Sequence, residues 1–453
     1  MKKILIIVAL FLGFLVRTYN INNPIADWHS FRQADTASVT RNIVNKTGSF
    51  FVPTYHDFSN IQSGKDNPKG YRMVELPIYN LISSFFVSFT SVEIASRLVS
   101  IFFSLASALL IYFYCFRLTS TFWPSFLAMC TFLFLPFNIF YSRTILPEPT
   151  AVFFMLLSLY LFPKQYLFSA VSLSLAILIK PFTAIIIFPV MLLQLFQLKF
   201  WQMLIFGTIT ISPFFAWRIW IKNFPEGIPA SSWLINGGNI RFRPAWFRWL
   251  FFERIGKLLM GIFGIIPLYL GLAYKKNKTQ SISVALIIGI LLYFSIIARG
   301  NIQHDYYQVL IIPSLSIITG FGLYYMFKFL ANKSIFLQIS NLIIILFALL
   351  FSGYQIIEYY KINNPIIMEA GKIANEILPK NATVIAPYNG DTAFLYQTNR
   401  SGYPIELYDN LPKLKDFYLI SINNDKYRND MMKLYPIIYK SEKIIILNIS
   451  NVK

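Results

Sequence analysis

Charge is scarce in this sequence. Asp, Glu, Lys and Arg together make up 13% of its 453 residues, about half the share found in a soluble domain. Cysteine is scarcer still. The two present, Cys115 and Cys130, both lie inside apolar stretches, which excludes a disulfide framework and any Cys-built metal centre. There are three histidines, His29, His56 and His304, too few for a zinc site made mainly of imidazoles. Internal repeats and low-complexity segments are absent. Acids are outnumbered by bases 20 to 40, and the imbalance is local. Residues 354–453 hold 12 basic and 10 acidic side chains, leaving 28 and 10 for residues 1–353. In a soluble protein a basic excess suggests nucleic acid. Here the cations sit in short segments between apolar runs, where anionic lipid headgroups explain them, and nucleic acid is excluded as a partner.

What the sequence does have is apolar length, with 56% hydrophobic and 18% aromatic residues. Eleven stretches read as membrane spans, near 4–19, 96–116, 121–137, 149–163, 165–179, 182–198, 202–220, 257–273, 280–298, 307–327 and 334–353. The first, Ile4 to Val16, lacks an Ala-x-Ala cleavage pattern after it and is read as an uncleaved span. Leu76 to Phe89 is about fourteen residues long and is expected to lie at the interface. With that stretch not spanning and the N-terminus inside, the inner loops carry Lys2, Lys3, Arg117, Lys164, Lys199, Lys275, Lys276, Lys278, Lys328 and Lys333 and no acid. Asp27, Asp35, Asp57, Asp66, Glu75, Glu93, Glu148, Glu226, Glu253 and Asp305 all fall outside. The opposite assignment would turn Lys275-Lys276-Asn277-Lys278 outward, against the positive-inside rule.

The expected layout is a mainly α polytopic membrane domain, residues 1–353, followed by a small extracytoplasmic α/β domain, residues 354–453. The first outer loop, about 20–95, contains juxtamembrane helices, and a second, about 221–256, is rich in Trp and Arg. In the tail a helical pattern over Asn364–Leu378 alternates with strand candidates at 382–386, 416–420 and 443–447. The chain is expected in the plasma (inner) membrane, with its N-terminus cytoplasmic and its tail outside.

Four outer segments carry the candidate chemistry. Asp27-Trp28-His29-Ser30-Phe31-Arg32-Gln33-Ala34-Asp35-Thr36 has a capping-box pattern, Ser30 to Gln33, that predicts a helix from Phe31 with Arg32, Asp35 and Thr36 on one face. An acid held at the interface beside an arginine can serve as a base or a metal ligand. The same residues are equally an exposed i, i+3 ion pair. Tyr141 to Pro149 contains Arg143 and sets Glu148 between two prolines at the mouth of a span, where a carboxylate is paired, solvated or used. Lys180 lies between two spans, and Arg299 to Tyr307 adds Arg299, His304, Asp305 and Tyr306. Each cation taken singly is also a snorkelling interface residue. Together they place carboxylates and cations at one membrane depth on one side. That combination suits transfer of a sugar from a lipid phosphate: cations hold the phosphate and a carboxylate takes the acceptor's proton.

These segments are similar to those of the GT-C membrane glycosyltransferases, the superfamily of protein O-mannosyltransferases and lipid A aminoarabinose transferases. The likeness is carried by His29-x-x-Arg32-Gln33-Ala34-Asp35-Thr36, Glu75-Leu76-Pro77-Ile78-Tyr79, Arg97-Leu98-Val99-Ser100, Pro147-Glu148-Pro149, Leu178-Ile179-Lys180-Pro181, His304-Asp305-Tyr306-Tyr307 and, in the tail, Phe394 to Tyr403. The resemblance implies an inverting transfer from a polyprenyl-phosphate sugar to a hydroxyl of a lipid, glycan or protein. It implies a base in the first outer loop and a second acid in the next, which sometimes helps to hold a divalent metal. Relatives carry an Asp-Glu pair where this chain has Arg32-Gln33, so the base falls to Asp35, with Asp27 the alternative. Glu148 becomes the second acid and the candidate metal ligand. Arg32, Arg143, Lys180, Arg299, His304 and Tyr306 become the contacts to lipid phosphate or sugar. A flippase, or a polymerase or ligase of lipid-linked saccharides, is the rival function for the same chemistry.

Overall fold

The structure is a computed structural model that describes residues 1–276, 278–331, 333–407 and 415–450. Asn277, part of the basic run used to orient the chain, lies outside the described residues. The chain forms two compact units interleaved in sequence. One comprises Met1–Ile21, Arg97–Ile219 and Ser231–Tyr359, the other Asn22–Ser96, Trp220–Ala230 and Tyr360–Lys453.

Each of the eleven apolar stretches falls mostly on helix, because a chain in lipid must satisfy every backbone N–H and C=O internally. Val92–Thr119, Phe200–Asn223, Thr279–Ile296, Asp305–Leu330 and Ile335–Tyr360 are long and apolar enough to cross a membrane. Phe122–Phe134, Glu148–Leu161, Tyr166–Ile179 and Thr183–Leu195 are shorter apolar helices. Lys2–Thr18 is the helix of the first stretch. The stretch left out of the spans gives a nine-residue helix, Ile78–Phe86. At 1.5 Å per residue that is about half the ~30 Å needed to cross.

The expectation for 257–273 needs correcting. A π-helix runs over Arg248–Leu259 and an α-helix over Ile265–Ala273. The break falls where Gly261 and Ile262 take positive φ, 55° and 59°. Any Cβ on Gly261 would sit 1.9 Å from the carbonyl oxygen of Ala348, so the chain turns where a neighbouring helix passes at backbone contact. The same device packs the centre of this unit. A Cβ on Gly322 would meet the Pro267 carbonyl at 1.7 Å, and one on Gly320 the Ala128 backbone at 2.3 Å. Small residues let the Ile312–Leu330 helix touch two partners closely, which is how helices associate where no hydrophobic effect drives them together. That helix is buried from Ile312 to Leu323, whereas Ile335–Ile357 shows Ile335, Phe336, Leu342, Leu346, Phe347 and Leu350 on its outside. A continuous apolar surface of this kind belongs against lipid.

The second unit is built on a five-stranded mixed sheet of β1 Thr383–Ile385, β2 Ser401–Tyr403, β3 Phe417–Ser421, β4 Ile437–Lys440 and β5 Ile445–Asn448. The spatial order is β2-β1-β3-β5-β4. β1 lies parallel to β2 and β3, and β5 antiparallel to β3 and β4. Strand alternation divides the apolar residues between two faces. Val384, Tyr418, Ile420 and Ile446 pack with Ile367, Ala370 and Ala374 of the Ile366–Ile377 helix and with Ala393 to Leu395. Ile385, Phe417, Leu419, Ile445 and Leu447 pack with Tyr427 and Met431. The three expected strands are present as β1, β3 and β5. β2 and β4 had no hydrophobic run long enough to announce them.

Candidate active site

Most of the candidate residues fall into one cluster in each unit; Arg143 and Arg299 bond elsewhere. In the second unit the helix Ser30–Val44 is polar in sequence, yet ten of its residues are buried, Asp35 among them. The helix starts where expected, but its cap differs from the capping box. His29 holds the N-cap position in the left-handed region at φ 55°, and no side chain caps the first turn. Gln33 turns its amide instead to Asp27 Oδ1 at 2.7 Å and to the Trp28 carbonyl at 3.1 Å. A charged acceptor draws the Gln33 amide away from the backbone N–H that a capping box would give it.

Arg32 and Asp35 share the helix but not a bond. Arg32 reaches Glu75 at 2.6 Å. Asp35, 1% exposed, accepts from three groups. Arg72 lies 2.9 Å and Gln62 Nε2 3.0 Å from Oδ2, and the Thr392 hydroxyl lies 2.7 Å from Oδ1. Thr392 opens a short helix, Thr392–Gln397, in the tail. Its carbonyl is bonded to His56 Nε2 at 3.1 Å. Asp391, next to it, caps that helix through the Ala393 N–H at 2.7 Å. Burial pushes Asp57 and Asp391 up to about 6, and burial with the nearby Arg41 pushes His56 down to about 4.

In the first unit Glu148 opens the helix Glu148–Leu161 between Pro147 and Pro149, and Lys180 ends the helix Tyr166–Ile179 in an extended conformation. The two meet at 2.6 Å, with side chains 0% and 6% exposed. The ammonium lies over three rings, Tyr307 at 5.3 Å, Tyr306 at 5.8 Å and Phe182 at 6.0 Å. His304 packs on Tyr306 and Tyr307, with centroids at 5.4 and 5.9 Å. The fold thus gathers Glu148, Lys180, His304 and Tyr306 from three separated segments. Arg143 is buried, donates to the Asn20 carbonyl at 2.9 Å and stacks over Phe140 at 5.2 Å. Arg299 is exposed and donates to the Gly237 carbonyl at 3.2 Å.

The carboxylate of Asp305, next to His304, accepts the hydroxyls of Tyr141 and Tyr359, and the Arg254 guanidinium stands 3.8 Å away. Arg254 comes from the π-helix and also donates to the Ile302 carbonyl at 2.9 Å. This lock on the 302–305 turn was not foreseen. The only signal for Arg254 was the Arg-rich texture of the 221–256 loop. Gln62, Arg72 and Thr392 carried no signal at all. As for a divalent metal at Glu148, its Oε1 is taken by the Lys180 ammonium, and among the described residues no three His, Cys, Asp or Glu side chains gather as a ligand set. The residues present do not fit a protein-held metal there.

Residues 70–233 match the family model described as dolichyl-phosphate-mannose-protein mannosyltransferase. No curated protein matches the chain. Among solved structures, the chain is similar to ArnT from Cupriavidus metallidurans bound to undecaprenyl phosphate, at 12% identity and TM-score 0.64, over 98% of this chain and 97% of that one. The apo state of the same protein aligns with TM-score 0.63 at the same identity and coverage. An oligosaccharyltransferase from Archaeoglobus fulgidus, in its apo form, aligns at 13% identity with TM-score 0.56, over 92% of this chain and 69% of that one. The architecture of this chain, apolar helices with a small sheet domain, is the GT-C-type fold of these structures.

Proposed function

We propose that the protein is an inverting glycosyltransferase that moves a sugar from a polyprenyl-phosphate donor to a hydroxyl of a glycan, lipid or protein acceptor. The reaction takes place at the outer face of the plasma membrane, with the N-terminus cytoplasmic and the tail outside. The observation that carries this reading is the buried Lys180–Glu148 pair beneath Tyr306 and Tyr307. A lysine so placed is a compact positive charge, engaged by Glu148 and walled by aromatic rings. That combination suits a phosphate at the end of an isoprenoid chain. Undecaprenyl phosphate, the lipid phosphate bound in the similar ArnT structure, supports the donor class.

The chemistry assigned to the residues follows from a donor that is already activated. As the C1–O bond to phosphate breaks, the electron pair leaves with the lipid phosphate, and Lys180, with Arg143, Arg299 and His304, balances the charge that develops. The acceptor oxygen bonds C1 from the opposite side, which inverts it. Its proton is lost late, so a weak base suffices. Asp35 is that base in this proposal, paired with Arg72 and oriented by Gln62 and Thr392. Gln62 is the half-buried member of the three, and its bond is the one an acceptor hydroxyl replaces. Asp27 is the second choice. Glu148 acts on Lys180 and orients the acceptor, and Tyr306 lines the sugar.

The test is a deletion strain, its surface glycans profiled by mass spectrometry, complemented with wild type, Asp35→Asn or Asp27→Asn. The wild type restores a missing sugar. Asp35→Asn, inserted at the wild-type level, restores less than about one hundredth of it. A deletion strain with unchanged glycans overturns the transferase. Accumulation of unused lipid-linked saccharide of full length would favour a polymerase or flippase.

A further inference from the structure

The tail is easily taken for an accessory domain, yet one of its side chains touches the proposed base. Thr392 is 2% exposed, and its hydroxyl points away from the tail's own core to Asp35 Oδ1 at 2.7 Å and the Phe31 carbonyl at 3.3 Å. Both acceptors belong to the helix Ser30–Val44, which packs on Thr392–Gln397. Three further bonds hold the threonine in register. His56 Nε2 bonds its carbonyl, Asp391 caps its helix, and the Gly402 N–H is bonded to the His56 carbonyl at 2.9 Å. His56 is therefore clamped between two tail segments, and Thr392 is fixed from the same side. Arg72 and Gln62 both lie on Oδ2, so Thr392 is the only side chain among the described residues that bonds Oδ1.

We propose that Thr392 is a positioning residue for Asp35, so that the tail supplies a working part of the transferase site. This rests on the reading of Asp35 as base. The hydroxyl fixes the rotation of the carboxylate, which decides which lone pair faces the acceptor. Loss of the hydroxyl frees the carboxylate to rotate.

The experiment compares Thr392→Val, which keeps shape and removes the hydroxyl, with Thr392→Ser, which keeps the hydroxyl and removes a methyl. Membranes of the deletion strain carrying each full-length variant receive undecaprenyl phosphate bearing mannose, glucose or aminoarabinose, and transfer is followed. Insertion is measured by immunoblot and the thermal midpoint in detergent. With Thr392→Val, transfer falls about tenfold at wild-type insertion and an unmoved midpoint, the size expected for one charge-assisted bond. Thr392→Ser restores the rate. A protein that is merely loosened by the valine loses rate together with its midpoint. That result, or wild-type rate in Thr392→Val, overturns the inference while leaving the transferase standing. Full transfer by Asp35→Asn, by contrast, removes the base assignment and this inference with it.

Discussion

Asp35 and Glu148 are both carboxylates with almost no exposed surface, one in each compact unit, and the chain satisfies them by opposite means. Around Asp35 the solution is distributed. A guanidinium, an amide and a hydroxyl converge from three segments, so no single partner carries the whole charge. Around Glu148 it is concentrated in one ammonium at 2.6 Å, assisted by the partial positive charge at the start of its helix. A buried pair of the second kind gives little net stability, but halving it leaves a charge with nowhere to go. The contrast suggests why. Asp35 is met by three donors, whereas the carboxylate of Glu148 faces one ammonium, which an arriving anion would draw on.

Lys180→Met tests the concentrated case and has the largest expected effect. It strands Glu148 and destabilises the protein by about 3–5 kcal/mol, read as a fall in the thermal midpoint in detergent. Adding Glu148→Gln to it recovers most of the loss. No fall in the single variant would break the comparison. Arg72→Met tests the distributed case and costs less, about 2 kcal/mol, because Gln62 and Thr392 still bond Asp35. Equal losses at the two lysine and arginine sites would show that the extra donors contribute nothing. Tyr359→Phe is intermediate in kind, since it removes one donor from Asp305 while Tyr141 and Arg254 remain. About 1 kcal/mol is expected on the same scale.

The smallest effect is a slope with pH, and it belongs to the sheet-bearing unit. Asp57 and Asp391 are raised to about 6 from 3.8. The folded form keeps their protons while the unfolded form releases them, so their contribution is full below about pH 4 and is lost as pH rises through about 6. His56 is lowered from 6.5 to about 4. Its contribution is full above pH 6.5 and is lost as pH falls toward 4. Between those values two acids oppose one imidazole. The wild type therefore melts at a lower temperature near pH 6 than near pH 4.5. In Asp57→Asn with Asp391→Asn only the His56 term remains, and the sign of the slope reverses. A slope of unchanged sign in the double variant would place the titration elsewhere.

Much of the fold was legible because lipid imposes a simple rule on long apolar runs. Each of the eleven stretches falls mostly on helix, and the short one at Leu76–Phe89 is a nine-residue helix. The break at 260–264 was hidden because it depends on Gly261 meeting Ala348 across a helix contact. In the tail the strands with continuous hydrophobic runs were readable, whereas β2, three residues long, is a strand only because β1 lies beside it. For the candidate site, residue identities were legible and partnerships were not. Lys180 and Glu148 could be listed, but nothing local says that they touch. Arg32 was expected beside Asp35 at i, i+3 and instead finds Glu75. Short-range spacing describes what two side chains can reach, and the fold then offers each a better-placed partner from far along the chain.

Thr392 and Asp35 are separated by 357 residues, and that distance has a consequence for biosynthesis. At about 5–20 residues per second the ribosome needs roughly 20–70 seconds to travel from one to the other. Throughout that interval the Ser30–Val44 helix has been made and lacks the threonine that completes its surroundings. Its polar, bond-hungry face has to be tolerated or shielded until the last part of the chain emerges. Translation itself thus sets the earliest moment at which this helix can acquire its final environment.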